Sequence, residues 1–205
     1  FIRETQELEV AILYLLRTYD RAALTPEQQI SFDVYEWYLD NRVRGHEFMY
    51  HNYTVHHFLG SYHDELERLL TEIHPITSKE DAEDYVSRLS QVDDQVEQLM
   101  KGLERREEIG VIPPDFIVEQ ARWGVKNQIQ MYSSDPASID ARSLLVYTVF
   151  DEKLAKLDDV SDEEKQALLD AALTAIRESF IPAYVKILDH LDHLATIATD
   201  DAGVW

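Results

Sequence analysis

Between His74 and Pro114, apolar residues recur with a helical period, at Ala82, Tyr85, Val86, Leu89, Val92, Val96, Leu99, Met100 and Leu103. Steps of three and four put them on one side of a helix. A stripe of that length has to be buried against other elements. Start and stop signals bracket it. Pro75 keeps His74 extended. Thr77 and Glu80 stand at capping-box spacing, each side chain within reach of the other's backbone amide. Gly110 and the Pro113-Pro114 pair close the run. The pattern predicts one long amphipathic helix near 78–108, and that helix contains no chemistry of its own.

The same punctuation organises the rest of the chain. A first helix is predicted over about 5–22, with Leu8, Ala11, Ile12, Leu15, Leu16 and Tyr19 as its apolar face. Thr25-Pro26-Glu27-Gln28 is a second capping box with proline at the first helical position. It opens a helix reaching about Arg44, with Ile30, Val34, Trp37, Tyr38 and Leu39 as core candidates. Residues 45–60 are less regular, and a short helix follows over 61–73. Further helices are predicted over 116–131 and 139–157, separated by the break Ser133-Ser134-Asp135-Pro136. Ser161-Asp162-Glu163-Glu164 is a third capping box. It opens a segment running to about Thr199, which Pro182 is expected to kink or split by removing a ladder hydrogen bond. No strand-like alternation and no solenoid period stands out. The expectation is an all-α chain, a single irregular helical domain of about seven or eight helices with no Gly/Ser linker dividing it.

Charge narrows the choice of partners. The 205 residues carry 19 Lys and Arg against 40 Asp and Glu, a formal net charge of −21. Such a surface repels phosphate backbones and anionic lipid, which argues against nucleic acid and membrane surfaces. The acidic residues are spread along the chain. Their densest run, Asp158 to Glu164, sits at a helix start, where carboxylates complement the macrodipole. There is no cysteine, which removes disulfides and thiol nucleophiles. No apolar run approaches the ~20 residues of a membrane span. The chain opens at Phe1 without a signal-peptide pattern, and its location is not legible.

Three constellations invite a chemical reading. Residues 32–62 hold nine aromatics together with His46, His51, His56 and His57. This stretch reads either as a ligand-facing wall or as core with half-buried tyrosines. His46-Glu47-Phe48-Met49-Tyr50-His51 fails the metalloprotease geometry, because two zinc ligands on one helix face need four-residue spacing. Here they are five apart, roughly 140° around the helix. His190 and His193, with Asp189 and Asp192, have metal-compatible spacing. The stripe Ile187, Leu191, Leu194 and Ala198, however, puts His193 and Asp189 on the polar side and His190 at its edge. There is no phosphate loop, nucleophile elbow or Walker pattern. No catalytic, cofactor-binding or metal-binding residue is assigned within residues 1–205.

Several phrases resemble the bacterial domain-of-unknown-function family 885. They are YTVHHFLG (Tyr53 to Gly60), HPITSKEDAEDYVSRL (His74 to Leu89), GLERREEIGVIPP (Gly102 to Pro114), PAYVKILDHL (Pro182 to Leu191) and the closing Gly203-Val204-Trp205. They occur in the family's order and span the chain from about residue 20 onward. The resemblance implies a helical, zincin-like architecture in a longer, peptidase-like protein, with many members exported or lipid-anchored. It also implies that the metal-binding His-Glu motif lies in a C-terminal half that this sequence does not reach, so zinc belongs to the full-length protein and not to this chain.

The leading expectation is therefore an N-terminal helical fragment of a zincin-like metallopeptidase, forming one wall of a substrate channel. The segment 32–62 is its candidate for the surface facing that channel. Its partners are the missing C-terminal half and a peptide substrate, and exposed apolar surface, including the end near Trp205, is expected to drive homo-oligomerisation. The competing class is a self-contained helical protein–protein interaction module without catalytic activity. A small-molecule-binding bundle needs a closed apolar pocket that sequence does not reveal.

Overall fold

Helical periodicity and capping residues become an all-helical molecule, seen in a computed structural model that describes residues 2–58, 60–133 and 135–201. No strand occurs among the described residues. The chain falls into two compact units, Phe1–Asn52 and Tyr53–Trp205.

The first unit is a helical hairpin of α1 (Ile2–Leu16) and α2 (Pro26–Gly45), joined through a single 3₁₀ turn at Arg21–Ala23. The second capping box forms as expected: Thr25 accepts from the Gln28 amide, and the Gln28 side chain accepts from the Thr25 amide. Among the described residues of this unit only Leu13 and Leu39 are buried, so the seam relies on charge. Arg17 reaches Glu36 and Asp40 at 2.8 and 2.7 Å. Arg21 grips both Asp33 oxygens at 2.6 Å. Glu9 accepts from Arg42 and pairs with His46, both at 2.6 Å. Rising numbers on α2 meet falling numbers on α1, so the two helices run antiparallel.

The apolar faces expected here are largely on the outside. Leu8, Leu15 and Tyr19 are exposed on and after α1, and Ile30 (66%), Val34 (61%), Trp37 (69%) and Tyr38 on α2. Of the expected residues Ile12 and Leu39 do lie in the seam, joined there by Leu13 and Phe32 together with Glu9 and Glu36. Both sides of α2 are apolar, so period alone does not identify the buried one.

These charges set a testable acid response. Hydrogen bonds from His46 and then Arg42 hold the Glu9 carboxyl below its ordinary value, and the Arg21 fork does the same for Asp33. A depressed carboxyl stabilises the fold above its unfolded pKa and loses that contribution as pH falls through the folded one. Hydrogen-exchange protection of α1 and α2 is therefore expected to drop several-fold from neutral pH to about pH 3, and also in molar salt, before the second unit responds. Unchanged protection under both conditions would mean that the ion pairs do not hold the hairpin.

The second unit contains α3 (Tyr62–Arg68), α4 (Lys79–Leu89), α5 (Val92–Glu108), α6 (Asp115–Gln128), α7 (Leu145–Leu154), α8 (Asp162–Ala175) and α9 (Ile181–Leu194). A π turn, Ile176–Phe180, joins α8 and α9 into one rod, which leaves eight helical rods among the described residues. Within this unit α9 packs on α5 and α6, and α8 packs on α4 and α7. The stripe from Ala82 to Leu103 is buried almost throughout. Tyr85 stacks on Phe150 with ring centroids 4.6 Å apart, and Phe180 stacks on Tyr184 at 4.3 Å. The third capping box forms at Ser161 and Glu164. Lys79, with Ser161, holds the Glu164 carboxyl down at about 2.

Four local expectations are corrected. The stretch near 78–108 is two helices, because Gln91 leaves helical geometry and the side chain of Ser179 accepts from the Asp93 amide at 3.0 Å, capping α5 from 86 residues away. The cap of α4 is Ser78, which accepts from the Asp81 amide, while Asp81 accepts from the Thr77 amide and hydroxyl; Glu80 takes no part in the box. The first helix ends at Leu16, before Asp20 caps the 3₁₀ turn. The helix expected from Ile139 starts at Leu145, since Asp140 accepts from the Arg142 amide and turns the chain first. Pro182 is accommodated in the first turn of α9, directly after the π turn. At Gly110 (φ 79°) the chain leaves α5 through paired bonds, Gly110 to the Glu107 carbonyl and Val111 to that of Arg106, a left-handed turn that glycine adopts without strain. The closing Gly203-Val204-Trp205 lies outside the described residues.

Candidate functional site

The aromatic and histidine-rich stretch 32–62 contributes to two separate sites, one in each unit. In the first unit, Glu9, Trp37, Tyr38, Arg42, His46 and Met49 line an open groove of about 570 Å³. Its floor is the Glu9 carboxylate, compensated by Arg42 and His46, and its wall is the exposed ring of Trp37.

In the second unit, the chain from Thr54 to Tyr62 folds back on itself, the Tyr62 amide donating to the Thr54 carbonyl at 3.1 Å. The return positions Ser61 and His63, both fully buried. The Ser61 hydroxyl accepts from the His56 amide at 3.1 Å and lies 2.7 Å from Nδ1 of His63. The Asp64 carboxylate, an acceptor only, faces Nε2 at 3.5 Å, which favours the tautomer with the proton on Nε2 and the Ser61 hydroxyl donating to Nδ1. Burial pushes the pKa of His63 down, which favours the uncharged ring. A Ser–His–Asp order is thus present, but Ser61 has no access to a substrate and the network acts as a brace. Tyr184 ties it to α9 by donating to the His63 carbonyl at 2.9 Å.

Asp64 and Glu67 share the amide of Gln128, which donates to them at 3.0 and 3.3 Å. Burial raises the pKa of Glu67. On the outer side of this network His57, His63, Asp64, Glu119, Trp123 and Gly124 line a cleft of about 440 Å³. Gly124 permits the approach of the imidazole, since a Cβ there would stand 3.2 Å from Nε2.

Of the histidines singled out for metal spacing, His190 and His193 lie near each other, with ring centroids 6.3 Å apart, but each has its own surroundings. His46 pairs with Glu9, and His51 lies edge-on to Phe48. His193 pairs with Glu107 at 2.7 Å, and Asp192 accepts from Arg122. His190 is buried beside Leu191 and Leu194, where desolvation lowers its pKa. No three His, Asp or Glu side chains are grouped to hold a metal among the described residues. No helix among them is long and apolar enough to cross a membrane. The pocket between Tyr53, Leu103 and His190 has room for about one water, at about 20 Å³. His63, Asp64, Glu119 and Trp123 were not marked by sequence; the one available signal was Gly124, a glycine inside a helical pattern, which often flags a close approach.

The fold defines an all-α protein built around a buried helical core. The family model of bacterial proteins of unknown function, DUF885, matches residues 2–203, and the chain belongs to that family. No curated protein matches it. Among solved structures it is similar to the crystal structure of "the putative lipoprotein from Colwellia psychrerythraea", with a TM-score of 0.74 and 20% identity over 97% of this chain and 34% of that one. The likeness is one of fold, and the chain spans about a third of the length of that relative.

Proposed function

We propose that this chain is the helical portion of a longer zincin-like metallopeptidase, in which it forms one wall of a substrate channel while the metal ligands lie elsewhere in the protein. The observation that carries the reading is the stripe Ile30, Val34, Trp37 and Tyr38 on α2. These residues recur at helical spacing and are half or more exposed. Apolar stripes of this kind mark surfaces that another body covers. The 34% share of the solved relative leaves room for such a body in a family member. Taken alone, the chain is expected to associate through the same stripe. An exported or lipid-anchored location belongs to the same proposal.

The test is zinc content and peptidase activity, measured on the isolated chain and on the product of the gene read past the Trp205 codon. The reading expects no stoichiometric zinc in the isolated chain, and zinc with peptide hydrolysis in a longer product. A tight single zinc site in the isolated chain overturns it. A stop codon directly after Trp205 favours the second reading, a self-contained interaction module whose contact surface is the same α2 stripe.

A further inference from the structure

We propose that the cleft between His57, His63 and Asp64 on one side and α6 on the other binds an alkylammonium or alkylguanidinium group, held between the carboxylates of Asp64 and Glu119 and against the indole of Trp123. The site lies wholly in the second unit and does not depend on the reading of the longer protein.

Four observations carry it. First, neither carboxylate is neutralised. Asp64 is fixed by the Gln128 amide and faces the Nε2–H of His63, both of them donors without charge once burial keeps the imidazole deprotonated. Glu119 has no hydrogen bond or ion pair among the described residues. Second, the cleft lining includes no Lys or Arg, its only basic side chains being the imidazoles of His57 and His63. Arg122, the neighbouring cation on α6, is turned away and bound to Asp192, and Lys126 does not line the cleft. Third, Trp123 lines the cleft and is 71% exposed, and an open indole is a side chain on which ammonium and guanidinium groups settle. Fourth, the Gln128 amide nitrogen donates to both Asp64 and Glu67, which holds the Asp64 carboxylate in place at the cleft wall.

A ligand suited to these features is cationic, has several N–H donors and carries an apolar stem that fits against the indole. Ammonium offers three donors and guanidinium five, and bonds from either to carboxylate are charge-assisted. The surplus of negative charge over the chain adds long-range attraction.

Calorimetric titration of the whole chain at low salt tests this with two cationic probes, agmatine and the blocked tripeptide acetyl-Ala-Arg-Ala-amide. Acetyl-Ala-Gln-Ala-amide serves as the neutral control. Saturable binding of a cationic probe in the millimolar range is expected. Asp64→Asn or Glu119→Gln should weaken it roughly threefold each, the pair roughly tenfold, and Trp123→Ala roughly threefold. Agmatine binding more tightly than the tripeptide assigns the site to free amines; the reverse order assigns it to basic peptide side chains. Glu119→Gln, an exposed change, guards against misfolding, and thermal melts confirm that each variant is folded. The proposal is overturned if neither cationic probe saturates, if the neutral tripeptide binds equally, or if the folded double variant binds as the parent does.

Discussion

Tyr85→Ala is expected to cost about 4 kcal/mol of unfolding free energy, and Tyr85→Phe only about 1–2 kcal/mol. The difference follows from what the side chain touches. The ring is fully buried, lies nearly parallel to Phe150 at 4.6 Å, and meets the edge of His74 at 5.4 Å. Its hydroxyl donates to the Val146 carbonyl at 2.6 Å, linking α4 to α7 across 61 residues. Alanine removes the ring and leaves a cavity that two rigid aromatic neighbours cannot fill. Phenylalanine keeps the packing and strands one carbonyl. Burial also raises the pKa of the phenol, so its proton stays in place for the bond through the neutral range. Urea unfolding followed by circular dichroism separates the two costs. Equal losses for both variants would mean that the hydrogen bond, and not the stack, supports this junction.

The parts of the fold legible in the sequence are those written locally. Thr25 and Ser161 cap their helices because donor, acceptor and helix start lie within four residues. The buried positions from Ala82 to Leu103 follow from period alone. The break within that stripe was not legible, because the residue that caps α5 is Ser179, in a π turn 86 positions away. Nor was the buried side of α1 and α2. There the seam contains Glu9 and Glu36, carboxylates neutralised by Arg42 on α2 and by Arg17 just past α1, while many aliphatic and aromatic residues face out. Periodicity assigns apolar residues to the inside, and in this hairpin ion pairing across the seam takes precedence.

The cleft at Trp123 was hidden for a related reason. His63 and Asp64 come from α3, Glu119 and Trp123 from α6, and more than 50 residues separate the pairs. Each alone reads as an ordinary polar or aromatic residue on an amphipathic helix. Their juxtaposition depends on the fold-back of residues 54–62 and on the missing side chain at Gly124. Density of histidine drew attention to residues 32–62 as a ligand-facing wall, whereas His63, just past that stretch, is used in the structure to brace a loop.

His74→Ala is expected to cost about 2–4 kcal/mol, through unmade hydrogen bonds as well as lost packing. His74 is 3% exposed and both its ring nitrogens are used. Nε2 donates to the Asp81 carbonyl at 2.8 Å, and Nδ1 accepts from Arg88. Asp81 also caps the start of α4 through Thr77. One short phrase, His74 to Leu89, thus contains a residue, its donor, its acceptor and the ring it packs on, which gives the wording of that phrase a physical basis. The backbone of His74 has a separate duty: its carbonyl accepts from Lys153 at 2.9 Å, and alanine keeps that bond. The loss should therefore couple to Tyr85 and not to Lys153. In a double-mutant cycle, His74→Ala with Tyr85→Ala is expected to cost less than the sum of the single changes by about 1 kcal/mol, and His74→Ala with Lys153→Met to be additive within about 0.5 kcal/mol. Additivity in the first pair would assign the effect of His74 to Arg88 and the helix cap alone, with the edge contact on Tyr85 contributing nothing.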